Sequence, residues 1–206
     1  MGGKANLEPI VSKIYCSQSK TVLTIRRRPH VVNGGGFVVT NCSQKVLFRV
    51  EGCGTLGTKN ELILRDGAGD YLLLIRQKGG IIQALSVHRQ WRGYMRNYEG
   101  AEKLVFSLKE PNSYFVKNIT TVTVEPRRSN NKDWDFQIKG SFPDKACSII
   151  DSRGNIVAQV GVLLEDHQVA SNKDVYHVVV QPGFDQAFVI GVIAVLDNIN
   201  DESTRC

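Results

Sequence analysis

Four histidines and five cysteines are the first places to look for acid–base, nucleophilic or metal chemistry in this chain. His30, His88, His167 and His177 are scattered, and an isolated histidine is more often structural or solvated than catalytic. Cys16, Cys42, Cys53, Cys147 and Cys206 are odd in number and contain no CxxC pair. That argues against both a disulfide framework and a structural zinc site. No serine sits in a GxSxG elbow, and no HExxH or EF-hand loop occurs. Glu165, Asp166 and His167 read as a turn, and Asp197, Asp201 and Glu202 lack the alternating oxygen ligands of a tight calcium loop. Gly34-Gly35-Gly36 has no following Lys-Ser/Thr and leads into a strand, so it reads as a hairpin rather than a phosphate loop. The expectation is a chain with no catalytic residues, no metal and no cofactor.

The basic residues are more suggestive. Lys20, Arg26, Arg27 and Arg28 form one cluster along the sequence. Arg89, Arg92 and Arg96 form a second, interleaved with Trp91, Tyr94 and Tyr98, and Arg127, Arg128 and Lys132 form a third. Guanidinium forks suit phosphates, and neighbouring aromatics can enter a headgroup layer or stack on a base. The rival reading makes these residues solvated strand-edge charges that block edge-to-edge pairing, with Trp91 part of the core. Lysine and arginine outnumber aspartate and glutamate by 26 to 20, a formal charge of +6. That modest excess favours anionic surfaces without choosing between phospholipid and nucleic acid.

The elements that must position these residues read mostly as strands. The chain has 206 residues, 42% of them hydrophobic, which suits one domain with a real core. Thr21 to Ile25, Phe37 to Thr40, Val46 to Val50, Leu62 to Arg65, Tyr71 to Ile75, Ala84 to Val87, Leu104 to Leu108, Thr120 to Glu125, Ala146 to Ile150, Ile156 to Val160 and Val175 to Val180 are short β runs. Asp66-Gly67-Ala68-Gly69 and Asp151-Ser152-Arg153-Gly154-Asn155 are hairpin turns between them. Regular short strands with Gly and Asp turns imply a sandwich or barrel rather than βαβ units.

The segment from Phe184 to Ile199 breaks that pattern. Phe188, Val192, Val195 and Ile199 share one helical face, Ala187, Ile190, Gly191 and Ala194 cover the rest, and Asp185 suits the N-terminus. A helix apolar all round must be enclosed by protein or lipid. The β-branched Val189, Ile190, Val192, Ile193 and Val195 keep a buried strand open as the rival, but the span is long for a strand. The apolar run from Ala187 to Leu196 is too short to cross a bilayer.

Residues 1–15 read as a flexible tail or strand edge and 16–206 as a single domain. Gly2 stands where a myristoylation site would, although Asn6 replaces the preferred Ser or Thr. Asn41 and Asn118 head glycosylation sequons without meaning unless the chain is secreted, and Met1 to Asn6 show no secretory pattern. A cytoplasmic location, peripheral to membranes or nuclear, is the expectation.

Several segments, in order, resemble the LURP-one-related family of plants. They are Gly36-Phe37-Val38-Val39, Val46-Leu47-Phe48-Arg49-Val50, Leu64-Arg65-Asp66-Gly67-Ala68-Gly69, Ser86-Val87-His88-Arg89-Gln90-Trp91 with Gly93-Tyr94, and Lys139-Gly140-Ser141-Phe142 with Cys147. The series continues through Lys173-Asp174-Val175-Tyr176 and Val178-Val179-Val180-Gln181-Pro182-Gly183-Phe184-Asp185-Gln186-Ala187, and ends at Ala194-Val195-Leu196-Asp197-Asn198-Ile199. Arg89 stands where the family usually has an acidic residue, and Asn41-Cys42-Ser43-Gln44 replaces its usual Asp/Asn-Gly turn.

The family is similar in fold to tubby-like C-terminal domains and phospholipid scramblases. The resemblance implies a mostly β fold: a closed antiparallel barrel of about twelve strands around one central hydrophobic C-terminal helix. It carries over no catalytic residue. It implies a non-enzymatic module linked to plant stress or defence, and favours anionic phospholipid such as phosphoinositide as ligand. The alternatives are a protein-interaction scaffold without lipid affinity and a nucleic-acid-binding domain.

Overall fold

Alternation of apolar and polar residues writes the strands, and their inward faces write the core. In the first strand, β1 (Thr21–Arg27), Leu23 and Ile25 are fully buried while Val22 and Arg26 are exposed. The same period of two recurs in most of the others, as a curved sheet with one face dry requires. A computed structural model describes residues 8–28, 35–52, 60–78, 89–96, 100–110, 120–126, 133–161, 174–200 and 204.

The remaining strands are β2 (Gly36–Thr40), β3 (Val46–Glu51), β4 (Glu61–Asp66), β5 (Tyr71–Gln77), β6 (Gln90–Arg96), β7 (Glu102–Lys109), β8 (Thr120–Val124), β9 (Phe136–Ser141), β10 (Ala146–Asp151), β11 (Ile156–Gly161) and β12 (Val175–Val180). Each pairs antiparallel with its neighbours in sequence, and β1 closes the ring against β12. The closed twelve-stranded barrel matches the expected fold class. The strands β6 and β9 were not read from the residue pattern, and the strand expected at Ala84 to Val87 lies outside the described residues.

Asp-Gly and Asp-Ser-Arg-Gly make the two hairpin turns as expected. In both, the first aspartate folds its carboxylate over the turn. Asp66 Oδ1 accepts from the amides of Ala68 (2.9 Å) and Asp70 (2.8 Å), and Asp151 Oδ1 from those of Arg153 (2.9 Å) and Asn155 (2.8 Å).

The apolar C-terminal segment is a helix, α1 (Gln186–Ile199), and it fills the barrel. Every residue from Gln186 to Asn198 is buried, and Phe188, Val192 and Val195 are at most 1% exposed. Ile199, the fourth residue of the expected face, is partly buried at the end of the helix. Eight-stranded barrels are filled by side chains and sixteen-stranded ones leave a channel, so twelve strands leave room for a filler about 10 Å wide. Fourteen helical residues rise about 21 Å, close to the length of a six- or seven-residue strand. Burial on all sides overrides the poor helix propensity of its valines and isoleucines, because a strand in the lumen would leave its backbone groups unpaired.

Gly191 marks the close approach to the wall: a Cβ there would lie 3.1 Å from Leu73 Cδ1 and 3.6 Å from Phe106 Cε1. Asp185 caps the helix, accepting from Phe188 N at 3.2 Å through Oδ1. Its Oδ2 accepts the amides of Val11 (2.7 Å) and Ser12 (3.0 Å). One carboxylate therefore ties the helix start to residues 8–15. That segment forms a 3₁₀ turn at Lys13–Tyr15, buries Val11 and stacks Tyr15 on Phe48 at 5.3 Å.

Candidate functional site: an arginine belt on the outer wall

Because β1 to β6 are consecutive neighbours, the outward residues of six strands form one surface. Arg26 faces Val38, Val38 faces Arg49, and Arg49 faces Arg65. Arg65 faces Tyr71, and on the next pair of strands Arg76 faces Arg92. Arg96 lies on the same face of β6, and its guanidinium sits 5.2 Å from the centre of the Tyr71 ring. The Arg26 and Arg92–Arg96 clusters, far apart in sequence, are thus the two ends of a single belt. Arg49, Arg65 and Arg76 join them.

Register breaks occur in the ladders within and beside the belt. Bulges between Leu64 and Arg65, and between Gly93 and Tyr94, shift the pairing by one residue. Such bulges re-aim side chains. The first sets Arg65 opposite Tyr71, with 6.0 Å between guanidinium and ring centre. On the other side, Arg76 lies over Tyr94 at 4.6 Å. The rings lay the guanidinium planes along the wall. Beneath them, the outward Ile63 and Leu74 are only 4% and 5% exposed, so the belt rests on an apolar base.

Charge balance along the belt is incomplete. Arg65 Nε lies 3.1 Å from Glu51 Oε1, and Arg76 Nη2 lies 2.7 Å from Glu102 Oε2. Tyr94 and Glu102 together hold the Arg76 guanidinium above its ordinary pKa, against the partial burial that opposes this. Burial raises the Tyr71 phenol, and Arg96 pulls the other way. The opposed pairs Arg49–Arg65 and Arg76–Arg92 set like charges directly across the ladder, an arrangement that is destabilising. Arg92 Nε is buried and makes no hydrogen bond.

The other basic residues singled out in the sequence go elsewhere. Alternation turns Arg27 inward, where its Nε lies 3.4 Å from Asp197 Oδ1 and its side chain is 14% exposed. Arg28 donates through Nη2 to Gly35 O (3.2 Å) and Val50 O (2.9 Å), holding the start of β2 against the end of β3. Lys20 is exposed at the opposite end of β1, about 20 Å from Arg26 along the strand. Arg89 is exposed at the start of β6, and its carbonyl accepts from Glu110 N at 2.9 Å. Arg127, Arg128, Lys132 and Tyr98 lie outside the described residues. Trp91 faces inward at 1% exposure and donates to Glu110 Oε1 at 2.7 Å, as the core reading required.

Among the described residues no three His, Cys, Asp or Glu side chains come together as a metal site, and no helix is long and apolar enough to cross a membrane. His177 faces outward beside Thr24, Nδ1 to Oγ1 3.2 Å. His30, His88 and His167 lie outside the described residues.

This topology accounts for the ordered segments noted in the sequence, and comparison with known proteins decides the relationship. The LURP-one-related family model matches residues 21–197, from the first residue of β1 almost to the end of α1. The chain belongs to the LURP-one-related family. It is 48% identical to Protein LURP-one-related 6 of Arabidopsis thaliana over 97% of this chain and 100% of that one. It is also 48% identical to Protein LURP-one-related 16 of the same plant, over 100% of both chains. Protein LURP-one-related 12 is 28% identical over 98% of this chain and 88% of its own length. Within this LURP-one-related chain, the belt arginines that residue clustering missed each occupy an outward position of an otherwise apolar strand: Arg49 between Phe48 and Val50, Arg65 after Leu64, Arg76 after Ile75. Alternation was the signal that could have found them.

Proposed function

We propose that the protein is a non-enzymatic binding module that docks on anionic phospholipid through the arginine belt of β1–β6, in plant stress or defence signalling. The two like-charge pairs, Arg49–Arg65 and Arg76–Arg92, carry this reading. A folded wall gains nothing by setting arginines opposite each other, whereas a phosphate bridging them turns repulsion into charge-assisted hydrogen bonds. Tyr71 and Tyr94 supply amphipathic rings of the kind that sit at a headgroup layer. The module reaches the membrane from the cytoplasm and binds peripherally.

Co-sedimentation with liposomes, with and without phosphoinositide, at low and physiological salt, tests the reading. The protein is expected to bind anionic vesicles and to release as salt rises. A basic residue near a charged membrane contributes about 1 kcal/mol, so Arg49→Glu or Arg92→Glu should each weaken binding about tenfold or more. Lys20→Glu, off the belt, should change it little. Absence of binding at low salt, or equal loss in Lys20→Glu and Arg92→Glu, overturns the belt as a lipid site. The scaffold alternative gains if the folded parent chain stays at background on anionic vesicles at low salt, and neither salt nor charge reversal changes that.

A further inference from the structure

Where α1 ends, the barrel mouth holds charges that the outer belt does not use. Lys145 closes the turn between β9 and β10 in a left-handed conformation (φ 52°), its amide donating to Phe142 O at 2.9 Å. That backbone turn curls the side chain back into the protein. Nζ then lies 4.1 Å from the centre of the Phe142 ring and 4.8 Å from that of Tyr176, and donates to Phe142 O at 3.3 Å. The residue is 8% exposed, although Pro143, Asp144 and Ala146 around it are open to solvent.

We propose that Lys145 is a covalent capture site for small carbonyl compounds, forming an imine through Nζ. Amines become nucleophilic in proteins when they are desolvated or set beside another cation, and both apply here. The two rings and the wall exclude water from Nζ, and the Arg27 guanidinium, 5.7 Å from the centre of the same Tyr176 ring, adds repulsion. The charged and titratable groups facing it are Arg27 of β1, Asp197 of α1, Cys147 of β10, Tyr176 of β12 and Asp144 of its own turn. Burial first, and Arg27 second, bring the amine down to about 8, with Asp197, Cys147 and Asp144 opposing. About a fifth of Lys145 is then free amine at pH 7.4, against about a thousandth of a solvated lysine.

In the reaction the Nζ lone pair adds to the carbonyl carbon, and the carbonyl oxygen takes a proton to give a carbinolamine. Loss of water then leaves the C=N bond. The Tyr176 hydroxyl, buried without a hydrogen-bond partner, is a donor for the oxygen of that adduct.

The test uses the unaltered protein with limiting formaldehyde as the carbonyl and cyanoborohydride as the hydride source. Reduction fixes each imine as a methylamine that peptide mass spectrometry locates. Lys145 is expected to be methylated at least tenfold faster than the exposed Lys20 and Lys45 at pH 7, with a rate that levels off above pH 8 while theirs keeps rising. Asp197→Asn, which removes a group that favours the ammonium, should raise the Lys145 rate at pH 7 in the variant that keeps its near-UV circular dichroism. Methylation of Lys145 no faster than Lys20 and Lys45, or only after urea is added, overturns the proposal.

Discussion

Lys145, Arg27 and Asp197 stand together because of where α1 ends. The last turn of the helix carries no basic residue, and Asp197 adds a negative charge where the macrodipole is already negative. Arg27 at 3.4 Å answers it from β1, while Asp197 Oδ2 also accepts the Thr204 amide at 2.8 Å. The arrangement has a pH signature. Folding brings Lys145 down to about 8 from the ordinary 10.5, so between these values the unfolded chain holds a proton that the folded one has released. Stability therefore rises with pH in that window, and below it the buried ammonium is a full cost. Cys147 acts oppositely from 9.0 upward, since burial pushes its thiol up to about 11. The measurable interval is pH 8 to 9. Lys145→Met should melt higher than the parent at pH 7, and the gap should narrow by pH 9. Parallel melting curves across that interval in both proteins would show that the amine does not titrate there.

The elements succeed by matching one another rather than by their own propensities. The helix is rich in residues that favour strands, yet its Asp185 cap, its length and its all-round burial suit only the lumen. Replacing Val192, fully buried, by Asp would put an uncompensated charge at the centre of the barrel and cost several kcal/mol. The expected result is an unfolded or aggregated product by circular dichroism and gel filtration; a folded, soluble Val192→Asp protein refutes the central helix. This helix was legible beforehand from the length and all-round apolar character of Phe184 to Ile199, with a buried strand kept open as the rival by its β-branched residues. The strands β6 and β9 were not. Gln90–Arg96 is dominated by arginine and aromatic residues, and Phe136–Ser141 alternates Phe136 and Ile138 with Gln137 and Lys139 over too short a span to stand out. Both are defined by partners on either side that a single segment does not display.

At the scale of the molecule, closure makes the barrel one cooperative unit. β1 is held by β12 along six register pairs, from Thr21 with Val180 to Arg26 with Val175, so the ends of the chain seal the sheet that the middle builds. Among the described residues no strand is left with a free edge, and the helix buries its surface inside the ring. Thermal unfolding should therefore give coincident transitions by far-UV circular dichroism, which reports the strands, and by tryptophan fluorescence, which reports Trp91 inside the wall on β6 and the half-buried Trp134. Separate midpoints would mean that part of the wall opens independently.

Period-two alternation, Asp-Gly turns and one apolar segment determined by themselves that this chain forms many short strands and encloses one apolar segment, because those signals are local and each strand must hide one face; they left that segment open between helix and strand. Alternation along β1 could have separated Arg26 outward from Arg27 inward, but the run of three arginines reads along the chain as one patch. Only the tertiary structure decided which distant arginines share a surface. The registers of β3 on β4 and of β5 on β6 set Arg49 against Arg65 and Arg76 against Arg92, a bulge between β4 and β5 set Arg65 against Tyr71, and the closure of β1 on β12 brought Arg27, Lys145 and Asp197 to one mouth. Those juxtapositions depend on register between strands, and register is a property of the closed sheet that no single segment contains.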